Sequence, residues 1–247
     1  MSRSDEGEVH ELGPLRVREA VVSGEPGGAP LTVVLLHGFG APGDDLAGLA
    51  APLAARGLPP GTRLVFPEAP IALGQMRGFE LYDEARAWWL VDFGKRERLL
   101  RTGGIEAAIE DEPEGLTEAR AAVEALLDAL VARGAAPERI VLGGFSQGAM
   151  LSADVAFRSE RPLAGLVLLS GAFIAAHAWR AGMRGRSGLH VFQRHGRADE
   201  ILPIPVARPL AEAMQGAGLE VDWGEFEGGH GIPPTALAAL AGWLSER

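Results

Sequence analysis

The feature that most constrains this fold is an alternation along the chain of short apolar runs and longer segments with helical periodicity. The runs are rich in Val, Leu and Ile, which is typical of buried strands. They predict strands at residues 15–22, 31–36, 63–66, 139–145, 165–171, 189–196 and 220–226. Helices are predicted over residues 44–56, 116–133, 147–158, 205–215 and 233–247. Alternating strands and helices build βαβ units, so we expect an α/β fold with a mostly parallel central sheet and helices on both faces.

Length and charge narrow the class of protein further. A chain of 247 residues, 47% of them apolar, can enclose one large core, so residues 1–247 are predicted to form a single domain with a flexible segment over residues 1–13. The net charge of -10 disfavours nucleic acid and anionic membrane surfaces as partners. The absence of cysteine agrees with a reducing compartment, and no apolar stretch is long enough to span a bilayer. We therefore expect a cytoplasmic protein, of open oligomeric state.

One predicted strand ends in a pattern that is typical of a nucleophile. In "VLGGFSQGAM", Ser146 stands between Gly144 and Gly148, after a strand and before a helix. Because the chain holds 34 glycines, G-x-S-x-G alone is weak evidence. The strand, sharp turn and helix around it are the context that lifts a serine hydroxyl clear of a sheet, and flanking glycines relieve crowding at the turn. Ser146 is therefore the predicted nucleophile.

The residues that would activate Ser146 are predicted from chain order. A serine hydroxyl needs a base to take its proton, and the base needs an acid that fixes its orientation. After a strand-turn-helix nucleophile, the acid comes first and the base second, each on a loop that follows a strand. Asp199 in "RADEILP" and His230 in "EGGHGIP" occupy those places. They are the predicted acid and base.

Other acids and histidines compete for these two roles. Glu200 lies one residue beyond Asp199, and Asp222 lies inside a predicted strand. His195 comes four residues before Asp199, which is too early in the order. The remaining histidines lie in the polar N-terminal segment, before the serine, or before the acid: His10, His37, His177 and His190.

Acyl transfer also needs hydrogen-bond donors for the negative oxygen of the tetrahedral intermediate. The backbone N–H of Gln147, which follows the nucleophile at the start of a helix, is one predicted donor. The second is expected on the loop after an early strand, where "LTVVLLHGFG" places two glycines. The backbone N–H of Phe39 is the candidate.

The motifs together resemble the phospholipase/carboxylesterase family of α/β-hydrolases, which includes the acyl-protein thioesterases. The resemblance covers about residues 31–243 and rests on "LLHGFG", "FPEAP", "AWWLVDFG", "RIVLGGFSQGAMLS", "HGRADEILP" and "GGHGIP". It implies hydrolysis of esters or thioesters with no metal or organic cofactor. In relatives the stretch matching "AWW" borders the acyl pocket, which makes Trp88 and Trp89 the predicted substrate-binding residues. Packing in the core is the alternative for each.

Two segments depart from this family. Residues 73–84 and the charged tract after Phe93 look longer than the resemblance implies, and both would border the substrate entrance. Residues 93–116 are interpreted as a solvated excursion or exposed helical turn, with a movable flap as the alternative. The size of the substrate therefore stays open.

The leading hypothesis is a serine hydrolase that cleaves carboxylic esters of small or medium acyl groups through an acyl-enzyme intermediate. An acyl thioesterase, acting on protein or small-molecule thioesters, is the alternative, because the same three residues serve both reactions. A non-catalytic ligand-binding module on the same fold is a remote third hypothesis. A metal site is not predicted, since the acidic cluster at residues 110–114 lacks ligand spacing.

Overall fold

The computed structural model describes residues 8–25, 27–76 and 83–247. The strands in these ranges are β1 Glu8–Leu12, β2 Leu15–Val21, β3 Thr32–Leu36, β4 Arg63–Pro67, β5 Ile71–Ala72, β6 Arg86–Ala87, β7 Ile140–Phe145, β8 Gly165–Leu169, β9 His190–Gly196 and β10 Glu220–Phe226. The α-helices are α1 Ala50–Ala54, α2 Phe93–Glu110, α3 Leu116–Ala132, α4 Gln147–Arg158, α5 Ala176–Met183, α6 Ile204–Gly216 and α7 Pro234–Ser245.

Eight of these strands form one sheet in the order β1-β2-β4-β3-β7-β8-β9-β10. From β4 to β10 all neighbouring strands are parallel, whereas β1 and β2 add an antiparallel pair at one edge. Strands β5 and β6 form a separate small hairpin. The predicted α/β fold with a mostly parallel sheet is confirmed. Its loops at the carboxyl ends of β3, β7, β9 and β10 meet at one edge, where such sheets bind ligands.

Side chains of alternate residues supply a core on each face of the sheet. On β3, Val34 and Leu36 join the cluster under α3, α4, α5 and α6, while Val33 and Leu35 join the cluster under α1 and α7. Because both faces of the sheet are covered, the strand is apolar at every position from 33 to 36. Each fully buried Leu or Val contributes about 1.5–3 kcal/mol.

The structure differs from the sequence prediction in several elements. Residues 8–12, expected in a flexible segment over residues 1–13, form strand β1; residues 1–7 lie outside the described residues. The predicted helix over residues 44–56 is a 3-10 turn, Asp45–Leu49, followed by the short α1. Residues 77–82, within the segment 73–84 that was expected to be longer than in the family, also lie outside the described residues. No helix in the described ranges is long and apolar enough to cross a membrane.

Candidate active site

Ser146 lies on a strained turn between β7 and α4. Its φ of 54° and ψ of -114° place a non-glycine residue where L side chains are rarely found, at a cost of about 1–3 kcal/mol. The N–H of Ser146 donates to the carbonyl of Leu169 at 2.9 Å. A Cβ on Gly144 or Gly148 would stand 2.3 or 2.0 Å from the carbonyl oxygen of Leu36. Only glycine fits there, so the turn depends on both flanking residues.

His230 stands between Ser146 and Asp199. Its Nε2 lies 2.9 Å from Ser146 Oγ, and its Nδ1 lies 2.7 Å from Asp199 Oδ2. A carboxylate only accepts hydrogen bonds, so the contact with Asp199 assigns the proton to Nδ1 and leaves Nε2 to accept from the serine hydroxyl. The ring of Phe145 packs against His230 with centroids 4.8 Å apart. The three residues that sequence order selected thus form one continuous hydrogen-bonded chain.

The backbone of its own loop holds the carboxylate of Asp199. Its Oδ1 accepts from the N–H groups of Ile201 at 3.0 Å and Leu202 at 2.8 Å, and the residue is 4% exposed. The acid loop is tied in turn to the histidine loop, because the N–H of Ala198 donates to the carbonyl of Gly228 at 2.9 Å. Hydrogen bonds from backbone N–H groups stabilise an ionised carboxylate in a buried place.

A second histidine contacts the same carboxylate. His195, on β9, is fully buried, and its Nε2 lies 2.6 Å from the carbonyl oxygen of Leu202 and 3.3 Å from Asp199 Oδ2. Both neighbours are acceptors, so Nε2 carries the proton. Burial lowers the pKa of His195, which keeps the ring neutral. The sequence prediction set His195 aside because it comes before Asp199. In the structure its Nε2 contacts both the carbonyl of Leu202 and the carboxylate of Asp199, and so holds the loop that carries Asp199.

The competing candidates are engaged elsewhere. Glu200 is exposed, and Asp222 forms an ion pair with Arg194 at 2.9 Å. Among the other histidines, His190 lies 2.9 Å from Glu220 and His10 lies 2.8 Å from Arg133 Nη1. None of these contacts joins the group around Ser146.

The loop after β3 lies directly against the turn at Ser146. A Cβ built on Gly38 would stand 3.2 Å from the ring of Phe145 and 3.4 Å from the Cβ of Ser146. Phe39 follows on this loop, and Gln147 occupies the first position of α4, where backbone N–H groups and the helix dipole favour negative charge. Both predicted donor residues border the same cavity as Ser146.

Buried hydrogen bonds connect the loop after β3 and the start of α4 through the segment that contains Trp88 and Trp89. The side chain of Gln147 accepts from the N–H of Trp88 at 2.9 Å and donates to the carbonyl of Trp89 at 2.8 Å. The indole of Trp88 donates to the carbonyl of His37 at 3.0 Å. His37 itself accepts from the N–H of Ala69 at 3.0 Å through Nε2, and burial lowers its pKa. Sequence reasoning had assigned no role to the side chains of Gln147 or His37.

A cavity of about 1010 Å³ opens beside Ser146 and His230. Trp89 lines it, whereas Trp88 is not among its lining residues and packs behind the loop instead. The prediction that both tryptophans border substrate is therefore corrected for Trp88. The other large apolar side chains of the wall come from several parts of the chain: Phe39, Ile71, Leu90, Val91, Phe93, Leu99, Phe145, Met150, Ile174, Ile201 and Leu202.

Helix α2 forms the outer wall of this cavity. Residues 93–116 were interpreted from sequence as a solvated excursion or exposed helical turn, with a movable flap as the alternative. The structure has a helix over Phe93–Glu110, with a break at Gly104 where φ is 66°. Its inner side lines the cavity through Leu99 and Ala108, while Leu100 and Ile105 are exposed. Acids of the cluster that follows are paired, since Glu110 contacts Arg180 and Glu112 contacts Arg158. Within the described ranges no group of three or more potential ligands gathers around a metal position.

Comparison with known proteins gives concordant results. A family model described as Phospholipase/Carboxylesterase matches residues 18–246. Acyl-protein thioesterase 1 of Gibberella zeae is 26% identical over 223 residues, which cover 87% of this chain and 90% of that protein. Acyl-protein thioesterase 1 of Eremothecium gossypii is 30% identical over 177 residues, covering 71% and 68% respectively.

Solved structures agree in fold. Esterase PE8 superposes with a TM-score of 0.73 at 27% identity, covering 93% of this chain and 98% of that one. A carboxylesterase from Mesorhizobium loti gives a TM-score of 0.73 at 19% identity, covering 98% of this chain and 100% of that one. The second likeness concerns the fold alone.

Proposed function

The chain belongs to the phospholipase/carboxylesterase family of α/β-hydrolases, and from this premise we propose that it cleaves carboxylic esters of small or medium acyl groups through an acyl-enzyme on Ser146. The resemblance carried by the sequence motifs is thereby confirmed. The observation that carries the proposal is the position of His230, 2.9 Å from Ser146 Oγ and 2.7 Å from Asp199 Oδ2, at the floor of an apolar cavity.

In the first half of the reaction, Ser146 Oγ attacks the carbonyl carbon of the ester while its proton passes to His230 Nε2. The tetrahedral intermediate then collapses, and the alcohol leaves with the proton from His230. Asp199 stays ionised and stabilises the imidazolium in between. In the second half, water attacks the acyl group as His230 takes its proton, and Ser146 leaves with that proton. His230 thus serves as base and acid in each half.

The negative oxygen of both intermediates would be held by the backbone N–H groups of Phe39 and Gln147. Support for this assignment comes from the locking contacts of Gln147, Trp88 and His37, which fix the two loops before substrate binds. Preorganised donors of this kind contribute about 2.7–4 kcal/mol each to the barrier reduction.

A thioesterase activity is the second candidate, and the named relatives favour it, since two of them are acyl-protein thioesterases. The same acyl-enzyme forms from either substrate, and only the leaving group differs. Oxygen and sulfur esters of one acyl group, matched in every other atom, separate the two. A higher kcat/KM for the oxygen ester supports the leading proposal. A preference for the thioester that clearly exceeds its greater intrinsic reactivity supports the second.

The proposal as a whole is tested by labelling with a fluorophosphonate, which reacts only with an activated serine. We expect one label per chain, located on the peptide that contains Ser146, and none in Ser146→Ala. A protein that binds ester analogues but takes up no label would instead be a ligand-binding module on this fold. Label on another serine would contradict the assignment of Ser146.

A further inference from the structure

The charged side chains that line the cavity gather at one end, where α2 meets the segment that follows it. Asp92 and Glu114 are exposed there, and Asp92 caps α2 by accepting from the N–H of Lys95 at 2.7 Å. Lys95, Arg96 and Asp111 are half-buried. Solvent screens the exposed pair, so the three half-buried charges act most strongly on a ligand in the cavity.

Two of these three charged residues, Lys95 and Arg96, are cations, and the carboxylate of Asp111 is close to both. Lys95 Nζ forms an ion pair with Asp111. The side chain of Arg96 makes no hydrogen bond or ion pair with any residue in the ranges that the structure describes, although the carboxylate of Asp111 is close enough to raise its pKa. Burial has the larger effect and lowers the pKa of Arg96. A guanidinium stays charged at neutral pH even so, which leaves one positive charge at this end of the cavity that no side chain of the described residues pairs.

A half-buried cation without a side-chain partner in the described ranges raises the free energy of the unliganded protein, and a ligand that supplies one negative charge lowers that cost. Given the ester hydrolysis proposed above, we propose that Arg96 is an anion-binding residue of the substrate cavity and that the preferred ester carries one carboxylate away from the scissile bond. The planar guanidinium can bind a carboxylate through two parallel hydrogen bonds. A single negative charge matches the single charge left over, whereas a dianion would add repulsion against Asp111.

Two pairs of substrates test the proposal, and each pair compares a carboxylate with its methyl ester. The first pair, 4-nitrophenyl hydrogen adipate and 4-nitrophenyl methyl adipate, carries the charge on the acyl side. The second pair, 4-butyryloxybenzoate and its methyl ester, carries it on the alcohol side. We expect Arg96→Gln to lower the ratio of kcat/KM for charged over neutral substrate by about tenfold or more in one pair, mainly through KM. The pair that responds identifies which side of the ester faces Arg96.

Arg98→Gln is the matched control, because Arg98 lies on the same helix but is exposed and not among the residues lining the cavity. It should leave both ratios unchanged, and Arg96→Lys should retain part of the preference. Equal ratios in wild type and Arg96→Gln for both pairs, with folding verified by thermal melting, would overturn the proposal. Hydrolysis of the neutral esters by wild type reports separately on the proposed function: its absence refutes that function, whereas normal neutral turnover without a charge preference refutes only the role of Arg96.

Discussion

The cavity joins two regions that are built in different ways. The first, which we call the nucleophile corner, consists of Ser146, Asp199, His230 and their loops, and its polar side-chain atoms are held by hydrogen bonds to backbone or to each other. The second, the α2 wall, is residues 89–115. More than half of its residues are exposed, its helix breaks at Gly104, and Phe93 is 61% exposed.

This difference in construction leads us to expect that the nucleophile corner carries the reaction and that the α2 wall determines which esters are preferred. The loops of the corner are held by hydrogen bonds to one another and within the loop of Asp199, so we infer that the corner positions the reacting atoms. A helix laid across the outside can change its side chains at little cost to the sheet. Substitutions in the corner should therefore reduce turnover of all esters by the same factor. Substitutions in the α2 wall should change the relative rates for different esters.

The largest effect is expected at the nucleophile. Ser146→Ala should lower kcat on the order of a millionfold for every ester, and His230→Ala by a comparable factor, because the residues act as one unit. The substitution removes one hydroxyl and no core volume, so the melting temperature should stay close to that of wild type. Rates measured on freshly purified variants check this. More than a few per cent of residual activity in Ser146→Ala would contradict the mechanism.

The next effect is expected at the acid. Asp199→Asn keeps an oxygen that can accept from the N–H groups of Ile201 and Leu202, but its amide would face His230 Nδ1 and favour the wrong tautomer. We expect a loss of about ten thousandfold in kcat with the fold intact. Glu200→Gln is the control and should be fully active, since Glu200 is exposed. The reverse result, an inactive Glu200→Gln and an active Asp199→Asn, would reassign the acid.

The two regions also differ in how far the sequence predicts them. In the corner, Ser146 follows a strand without a polar residue, IVLGGF, and the order of acid and base after the serine needs no tertiary information. In α2, Gly103 and Gly104 interrupt the helix, and the apolar residues of its first half do not form one continuous face, so packing decides its conformation. Strand β1 was missed because its edge sequence EVHEL is mostly polar.

His195 should give a smaller loss within the corner. His195→Leu removes the N–H that contacts the carbonyl of Leu202 and the carboxylate of Asp199, so kcat should fall about tenfold to a hundredfold. His195→Gln offers a donor of similar reach and should recover most of the rate. With this donor lost, more negative charge stays on Asp199 Oδ2, so the acid limb of the pH profile should move to higher pH in the Leu variant. An unmoved limb would mean a role in folding only.

His195 also makes a pH dependence of stability predictable. Burial lowers its pKa in the folded protein, while the unfolded chain titrates near the ordinary value of about 6.5. Below that pH the unfolded state binds the proton more readily, so the free energy of unfolding should fall as pH drops from about 6.5 and stay level above it. Urea unfolding at several pH values checks the direction. His195→Gln should show a shallower fall than wild type.

Sequence order did not find His195, because its contact with Asp199 depends on the conformation of the loop. That turn brings Asp199 back against a residue four positions earlier in the chain. Trp88 and Trp89 illustrate the same limit. Neighbouring side chains outside a helix commonly point in opposite directions, so a pair of tryptophans beside a cavity usually contributes one to the wall and one to the core. That alternation is the signal that would have separated them.

At the start of the α2 wall, the two tryptophans should respond differently. Each methylene that an acyl chain buries contributes up to about 0.8 kcal/mol, so kcat/KM of wild type should rise with chain length until the cavity is full. Trp89→Leu should flatten that rise and leave acetyl esters nearly unchanged. Trp88→Leu removes a buried indole and its hydrogen bond to His37, so it should lower the melting temperature and all rates together. Parallel shifts for both variants would place Trp89 in the core as well.

The smallest effect is expected on α2 itself, where Leu99 and Leu100 are adjacent in sequence and differ in environment. Leu99 lines the cavity, whereas Leu100 is 40% exposed and not among the lining residues. Leu99→Ala removes apolar contact from long acyl chains only, so we expect kcat/KM for octanoyl esters to fall roughly twofold to fivefold and that for acetyl esters to stay unchanged. Leu100→Ala changes the same residue type on the same turn and should alter neither. Because both substitutions affect helix propensity equally, a difference between them reports contact with substrate rather than stability of α2. Equal profiles for the two variants would show that the α2 wall does not select the acyl group. They would contradict the hypothesis that the nucleophile corner carries the reaction and the α2 wall the selectivity.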